Sequence, residues 1–191
     1  MAPKTKFTKD QIIDAAFEIA RTDGFDGITI RKVADRLGSS IAPIYVNFKD
    51  VNELIQEVIQ KTFAISKQLL TEQNTGHPFH DIGAASLRFA KEYSVLFRDL
   101  VMKKNDHRND QDQDMGMLVE LMKQDPDLQG LTDGELMTIL LKMKIFQTGL
   151  SVMVANGLLP DEFDEERMLQ IMDSTATDII TAAKMRKKAG G

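Results

Sequence analysis

The sequence predicts an all-α chain in which a small N-terminal three-helix unit is joined by a long helix to a larger helical domain. Three observations carry this expectation. Apolar residues recur at three- and four-residue spacing nearly throughout, and sustained two-residue alternation of the strand kind is absent. Cap-forming residues stand before most of these apolar segments, with Gly or Pro behind them. The length of 191 residues, with 42% hydrophobic and 28% charged, suits one mid-sized globular domain or a small module joined to a larger one.

The first helix is announced by Thr8. Thr8 and Gln11 have capping-box spacing, and Phe7 is placed to staple onto Ile12. Ile12, Ala16, Ile19 and Ala20 form one stripe before Gly24, which predicts a helix over 9–22. Thr29 can cap a short helix, Ile30 to Leu37, with Val33, Ala34 and Leu37 facing inward and Gly38 stopping it. Ser40 is the expected cap of a third short helix, Ile41 to Asn47. Pro43 in its first turn discourages a helical Ala42, so a late start or a 3₁₀ opening is expected. Asp50 and Glu53 form the next capping pair, opening a long fourth helix.

Residues 74–78 read as a loop, followed by helix over 79–103, a polar loop over 104–114, and helix over 115–124 ended by Asp125-Pro126. Thr132 and Glu135 make a capping box for a long helix running to Asn156 and stopped by Gly157. The last helix starts near Asp164, with acids at its beginning and Lys184 to Lys188 at its end, as the helix dipole favours. The expected division is 1–50, a linking helix over 51–73, and 74–191.

Composition narrows the chemistry. Zero cysteines exclude a disulfide framework, thiolate catalysis and cysteine-ligated metal. His77 and His80 have i, i+3 spacing with no third ligand nearby in sequence, so no metal or cofactor is expected. Glu-x-x-His and phosphate-loop patterns are missing, and an enzyme is not expected. Lys142 and Lys144 interrupt the most apolar run, 137–146, which argues against a bilayer span. The net charge of −5 hides an asymmetry: residues 1–49 hold eight bases against six acids, and the rest hold 16 against 23.

Two short helices around a glycine turn form a helix-turn-helix, a pattern shared by many helical corners. The residues are more specific. Gly24-Phe25 at the end of the first helix, Thr29-Ile30-Arg31 opening the second, Val33-Ala34, Leu37-Gly38-Ser39-Ser40, and Ile44-Tyr45 with Phe48-Lys49 resemble the TetR/AcrR family of bacterial transcriptional regulators over about residues 8–60. The resemblance implies phosphate contacts from Thr29, Tyr45 and Lys49, with Arg31 and Ser40 as further candidates. Base edges would be read by Ser39, Ile41, Ala42, Pro43 and Asn47. That set is apolar for a reading surface: Ile41, Ala42 and Pro43 offer thymine-methyl contacts and no side-chain hydrogen bonds, which favours phosphate positioning and DNA shape. Val51 stands where the family commonly has a phosphate-touching lysine, and Lys49 or Lys32 would have to compensate.

The family resemblance further implies a cytoplasmic, ligand-responsive repressor, homodimeric on a palindromic DNA operator. Ten of eleven methionines lie after residue 100. Phe89, Tyr93, Phe97, Met102, Met117, Met122, Met143, Phe146 and Gln147 either fill an ordinary core or line an adaptable pocket for a small apolar or amphipathic effector. Gly149, Ile171, Ile179 and Ile180 on the last two helices are candidate dimer contacts or internal packing. The alternative function is a helical coactivator or protein-interaction module of the same fold that has lost specific DNA binding.

Overall fold

The computed structural model of the chain describes residues 7–101, 111–155, 157–160 and 162–190. Among these residues it contains nine α-helices and no strand: α1 (Lys9–Asp23), α2 (Ile30–Arg36), α3 (Ala42–Asn47), α4 (Val51–Glu72), α5 (Pro78–Glu92), α6 (Ser94–Val101), α7 (Gln111–Met122), α8 (Asp133–Ala155) and α9 (Glu165–Gly190). They form two compact units, one of Met1–Gln68 with Glu92–Lys103, the other of Leu69–Lys91 with Lys104–Gly191.

In the first unit, α1 opens with the expected reciprocal capping box. The Gln11 N–H donates to the Thr8 hydroxyl at 3.2 Å, and the Thr8 N–H donates to the Gln11 side chain at 2.9 Å. Ile12, Ala16, Phe17, Ile19 and Ala20 are buried, and α1 packs on α2 and α6. Gly24 ends the helix with a left-handed φ of 77°, and a 3₁₀ turn, Phe25–Gly27, leads to α2. This turn is held from a distant part of the chain: the Asp99 carboxylate on α6, 2% exposed, accepts the Phe25 N–H at 2.9 Å. A Cβ at position 24 would run into that carboxylate, so Gly24 serves both the backbone angle and the approach of α6.

The second unit gathers Phe79 and Leu87 of α5, Val119 and Met122 of α7, Leu136, Ile139, Leu140, Met143 and Leu150 of α8, and Met168, Met172, Ala176 and Ile180 of α9 around one core. Asp125, 1% exposed, organises its loops: its carboxylate accepts the Phe79 N–H at the start of α5 and the Asp127 N–H in the following 3₁₀ turn, both at 2.9 Å. The Thr132–Glu135 capping box is present at α8, where the Thr132 N–H donates to the Glu135 carboxylate at 2.7 Å and lowers its pKa below the ordinary value. Asp164 caps α9 by accepting the Arg167 N–H at 2.9 Å.

Several expectations are corrected. The helix over 79–103 is broken at Tyr93, dividing α5 from α6. Helix α7 begins at Gln111, four residues before the expected start at 115. Residues 104–110 of the expected loop lie outside the described residues. Helix α8 is long and apolar enough by length and composition alone to cross a membrane, as core helices of soluble proteins also are, which leaves the expectation drawn from Lys142 and Lys144 standing. Its residues explain this. Leu136, Ile139, Leu140, Met143 and Leu150 face the core, while Met137, Leu141, Ile145 and Met153 remain exposed, so the helix is apolar on two sides.

Replacing Asp99 by Ala removes a buried, charge-assisted acceptor, and should lower stability by about 2 kcal/mol in urea unfolding. Glu135 gives a pH signature. Because its folded pKa is depressed, its stabilisation is complete above the unfolded carboxylate value of about 4.3 and fades as pH falls through the lower folded value. Glu135→Gln should flatten that part of an acid-unfolding profile.

Candidate nucleic-acid interface

Helix α2 begins where Thr29, in extended conformation, accepts the Lys32 N–H at 3.2 Å. Val33 and Ala34 are buried beneath it, and Leu37 is half-buried. The chain then reverses through Gly38 at φ 59°. The Gly38 N–H bonds the Asp35 carbonyl at 3.1 Å and the Ser39 N–H bonds the Ala34 carbonyl at 3.0 Å, the paired bonds of a Schellman motif. Ser39 is pulled inward by this turn. Its hydroxyl is buried without a hydrogen-bond partner among the described residues, so it is not presented to a base edge as the sequence suggests.

Ser40 does not cap α3. The cap position is Ile41, which makes no side-chain capping bond and already has helical backbone angles. The Ile41 carbonyl accepts both the Ile44 N–H at 3.1 Å and the Tyr45 N–H at 3.4 Å, so the first turn opens with a 3₁₀-type bond. This is the opening that Pro43 predicts. The cap is not needed from Ser40 because the early turn closes on backbone alone.

The six-residue α3 sorts its side chains into rows four residues apart. Ile44 and Phe48 are buried at 1% and 2% exposure. Pro43 and Asn47 flank them, half-buried, with the Asn47 amide nitrogen donating to the Pro43 carbonyl at 2.9 Å. The outward rows are Ile41 with Tyr45, 48% and 53% exposed, and Ala42 with Val46, Val46 being 73% exposed. Val46 is absent from the sequence-based set of readers, although its four-residue spacing from Ala42 was available to place it there.

Four cations lie between Gly24 and Asp50. Lys32 is held by Asp23 at 2.8 Å, and this ammonium lowers the Asp23 pKa. Arg36 lies 4.0 Å from Glu18. Arg31 and Lys49 are exposed and have no acidic partner among the described residues. The Lys49 N–H donates to Glu53 at 2.7 Å while Asp50 caps α4 by accepting the Glu53 N–H at 3.0 Å. With Val51 lacking a charge, Lys49 is thus better placed than Lys32 to supply a free ammonium near the start of α4. Thr29 and Tyr45 are also exposed.

The remaining candidates fall in separate places. Tyr93 and Phe97 belong to the first unit, the Tyr93 ring lying 6.2 Å from that of Phe17 with the Arg21 guanidinium 5.3 Å away over it. In the second unit Met122 and Met143 are buried with Phe146 packed against them, Phe89 is buried, and Gln147 donates to the Gly83 carbonyl at 2.8 Å. Met117 is exposed, and Met102 lies outside the described residues. Ile180 fills the unit's own core, Ile171 and Ile179 are half-buried, and Gly149 faces open space. His77, for which the sequence offered no third ligand, has the Asp127 carboxylate 3.1 Å and the Asp125 carboxylate 3.9 Å from its Nδ1. Asp125 there already serves two backbone N–H groups, and His80 pairs separately with Asp173 at 2.8 Å.

A short helix with an exposed face, fixed behind a glycine turn and accompanied by cations without acidic partners among the described residues, has the form of a helix-turn-helix. Residues 12–58 match the family of bacterial regulatory proteins, tetR family. The fold is shared with a transcriptional regulator from Rhodococcus sp. Rha1 (TM-score 0.67, 16% identity, covering 92% of this chain and 97% of that one). It is shared also with a proposed fatty acid metabolism regulator from Clostridium perfringens (0.59, 18%, 90% and 97%). A third is a proposed TetR-family transcriptional regulator from Vibrio parahaemolyticus (0.57, 15%, 89% and 97%). No curated protein sequence matches the chain. The family match thus falls on the helix-turn-helix segment, and the solved structures share the fold.

The Lys32–Asp23 pair yields a test of the electrostatics. Asp23→Asn should release the Lys32 ammonium toward phosphate, tightening DNA binding and steepening the slope of log K against log salt by about one. Fluorescence anisotropy at several salt concentrations measures it.

Proposed function

We propose that the protein is a ligand-responsive repressor that acts in the cytoplasm as a homodimer on a palindromic operator. In this reading residues 1–50 form the reading head, α4 within 51–73 links it onward, and 74–191 bind the effector and dimerise. The observation that carries it is the series Met137, Leu141, Ile145, Gly149 and Met153 on α8. These five positions are four residues apart and exposed, and a side chain added at Gly149 would meet nothing within 4 Å. An uncovered apolar stripe with a small residue at its centre suits a second copy of the same helix, laid against it by a two-fold axis.

Dimerisation supplies what the head lacks. A net charge of +2 over residues 1–49 gives little bulk attraction for DNA, so two linked heads on half-sites about 34–36 Å apart gain by effective concentration. Thr29, Tyr45, Lys49 and Arg31 would position the head on phosphates. The effector is a small apolar or amphipathic molecule, a reading supported by the adaptable Met122, Met143 and Phe146 cluster with buried Gln147, and by the neighbour described for fatty acid metabolism. It induces release only through a difference in its affinity for the bound and released conformations.

Leu141→Glu with Ile145→Glu should convert a dimer into a folded monomer in light scattering and weaken operator binding by at least tenfold. A wild-type monomer at micromolar concentration would overturn the dimeric reading. Arg31→Ala should lower the salt slope by about one without changing which sequence is preferred. Unchanged binding for both Arg31→Ala and Tyr45→Ala would instead favour the coactivator alternative.

A further inference from the structure

The polar groups expected at the reading surface are largely withdrawn from it. The Ser39 hydroxyl is buried by the Schellman turn, and the Asn47 amide nitrogen is bonded to the Pro43 carbonyl at 2.9 Å. The two outward rows of α3 then hold Ile41, Ala42, Tyr45 and Val46, of which only Tyr45 carries a side-chain hydrogen-bonding group. In the major groove the other three can recognise one chemical feature, the C5-methyl group that thymine alone displays among the unmodified bases.

Resting on the DNA-binding reading of this helix, we infer that α3 selects its operator through thymine methyl groups, with Ile41 and Val46 as the principal contacts and Ala42 between them. Both larger side chains are β-branched and therefore stiff, so their methyl groups are held in place with little rotamer freedom to lose on contact. Arg31 and Lys49, without acidic partners among the described residues, make the polyanionic groove the favoured occupant of this apolar face over an uncharged protein surface. Sequence preference then arises from where thymines stand on either strand, and the phosphate contacts hold the register.

The test uses the full-length protein. Bound DNA is selected from a random pool, and the affinity of the best site is measured after replacing each thymine in turn by deoxyuridine, which removes the methyl group and keeps the base pair. At the contacted positions each replacement should weaken binding by about fourfold, the transfer free energy of one buried methylene expressed as a ratio. Val46→Ala, at an exposed position and checked for folding by circular dichroism, should abolish the effect of one such replacement and leave the others. A selected site that binds equally well with uracil throughout overturns methyl readout while leaving operator recognition in place. Failure to select any sequence removes operator recognition itself, and this inference with it.

Discussion

Helix α3 exists because Ile44 and Phe48 are buried. Six residues are far too few for a helix to persist alone in water, where even good sequences need about 12–15. Helix α3 also lacks a side-chain cap and contains a proline, so little in its local chemistry stabilises it. Its conformation is imposed from below by two side chains four residues apart, at 1% and 2% exposure. Everything that faces outward inherits its direction from that pair. Moving the anchor row by one position would rotate Ile41, Ala42, Tyr45 and Val46 out of the reading face.

Much of this was legible in the sequence because it is governed by local rules. Thr8 with Gln11, Thr29 before α2, Gly38 after it, and Thr132 with Glu135 each define a helix end through bonds spanning three to five residues, and all appear where expected. The misses have a common cause. Ser40 is a good cap by residue type, yet the turn set by Gly38 delivers the chain to Ile41 already helical. Ser39 is polar and next to the reading helix, yet its hydroxyl is turned inward by a backbone bond to Ala34. In both cases the geometry of the preceding turn overrode the preference of the residue.

Long-range relations were beyond the reach of pattern alone. Asp99 looks like one acid on an amphipathic helix, and nothing in its neighbourhood signals that it receives the Phe25 N–H across 74 residues. Asp125 looks like a helix-ending Asp-Pro, although it also caps α5. Helix α8 reads as an interrupted apolar run because Lys142 and Lys144 fall between two apolar faces. The candidate pocket residues likewise share composition without sharing a location: Tyr93 packs on Phe17 in the first unit, whereas Met122 and Met143 belong to the core of the second.

The Asp99 tie has a bearing on modularity. The compact unit that carries the reading helix is not contiguous, since it takes in Glu92–Lys103. A chimera that grafts only the first 73 residues onto a foreign sensor would transplant the recognition surface without the carboxylate that fastens the turn leading into α2. On the proposed role of α3, its outward rows are therefore better transplanted into an intact recipient than moved by splicing at the apparent linker.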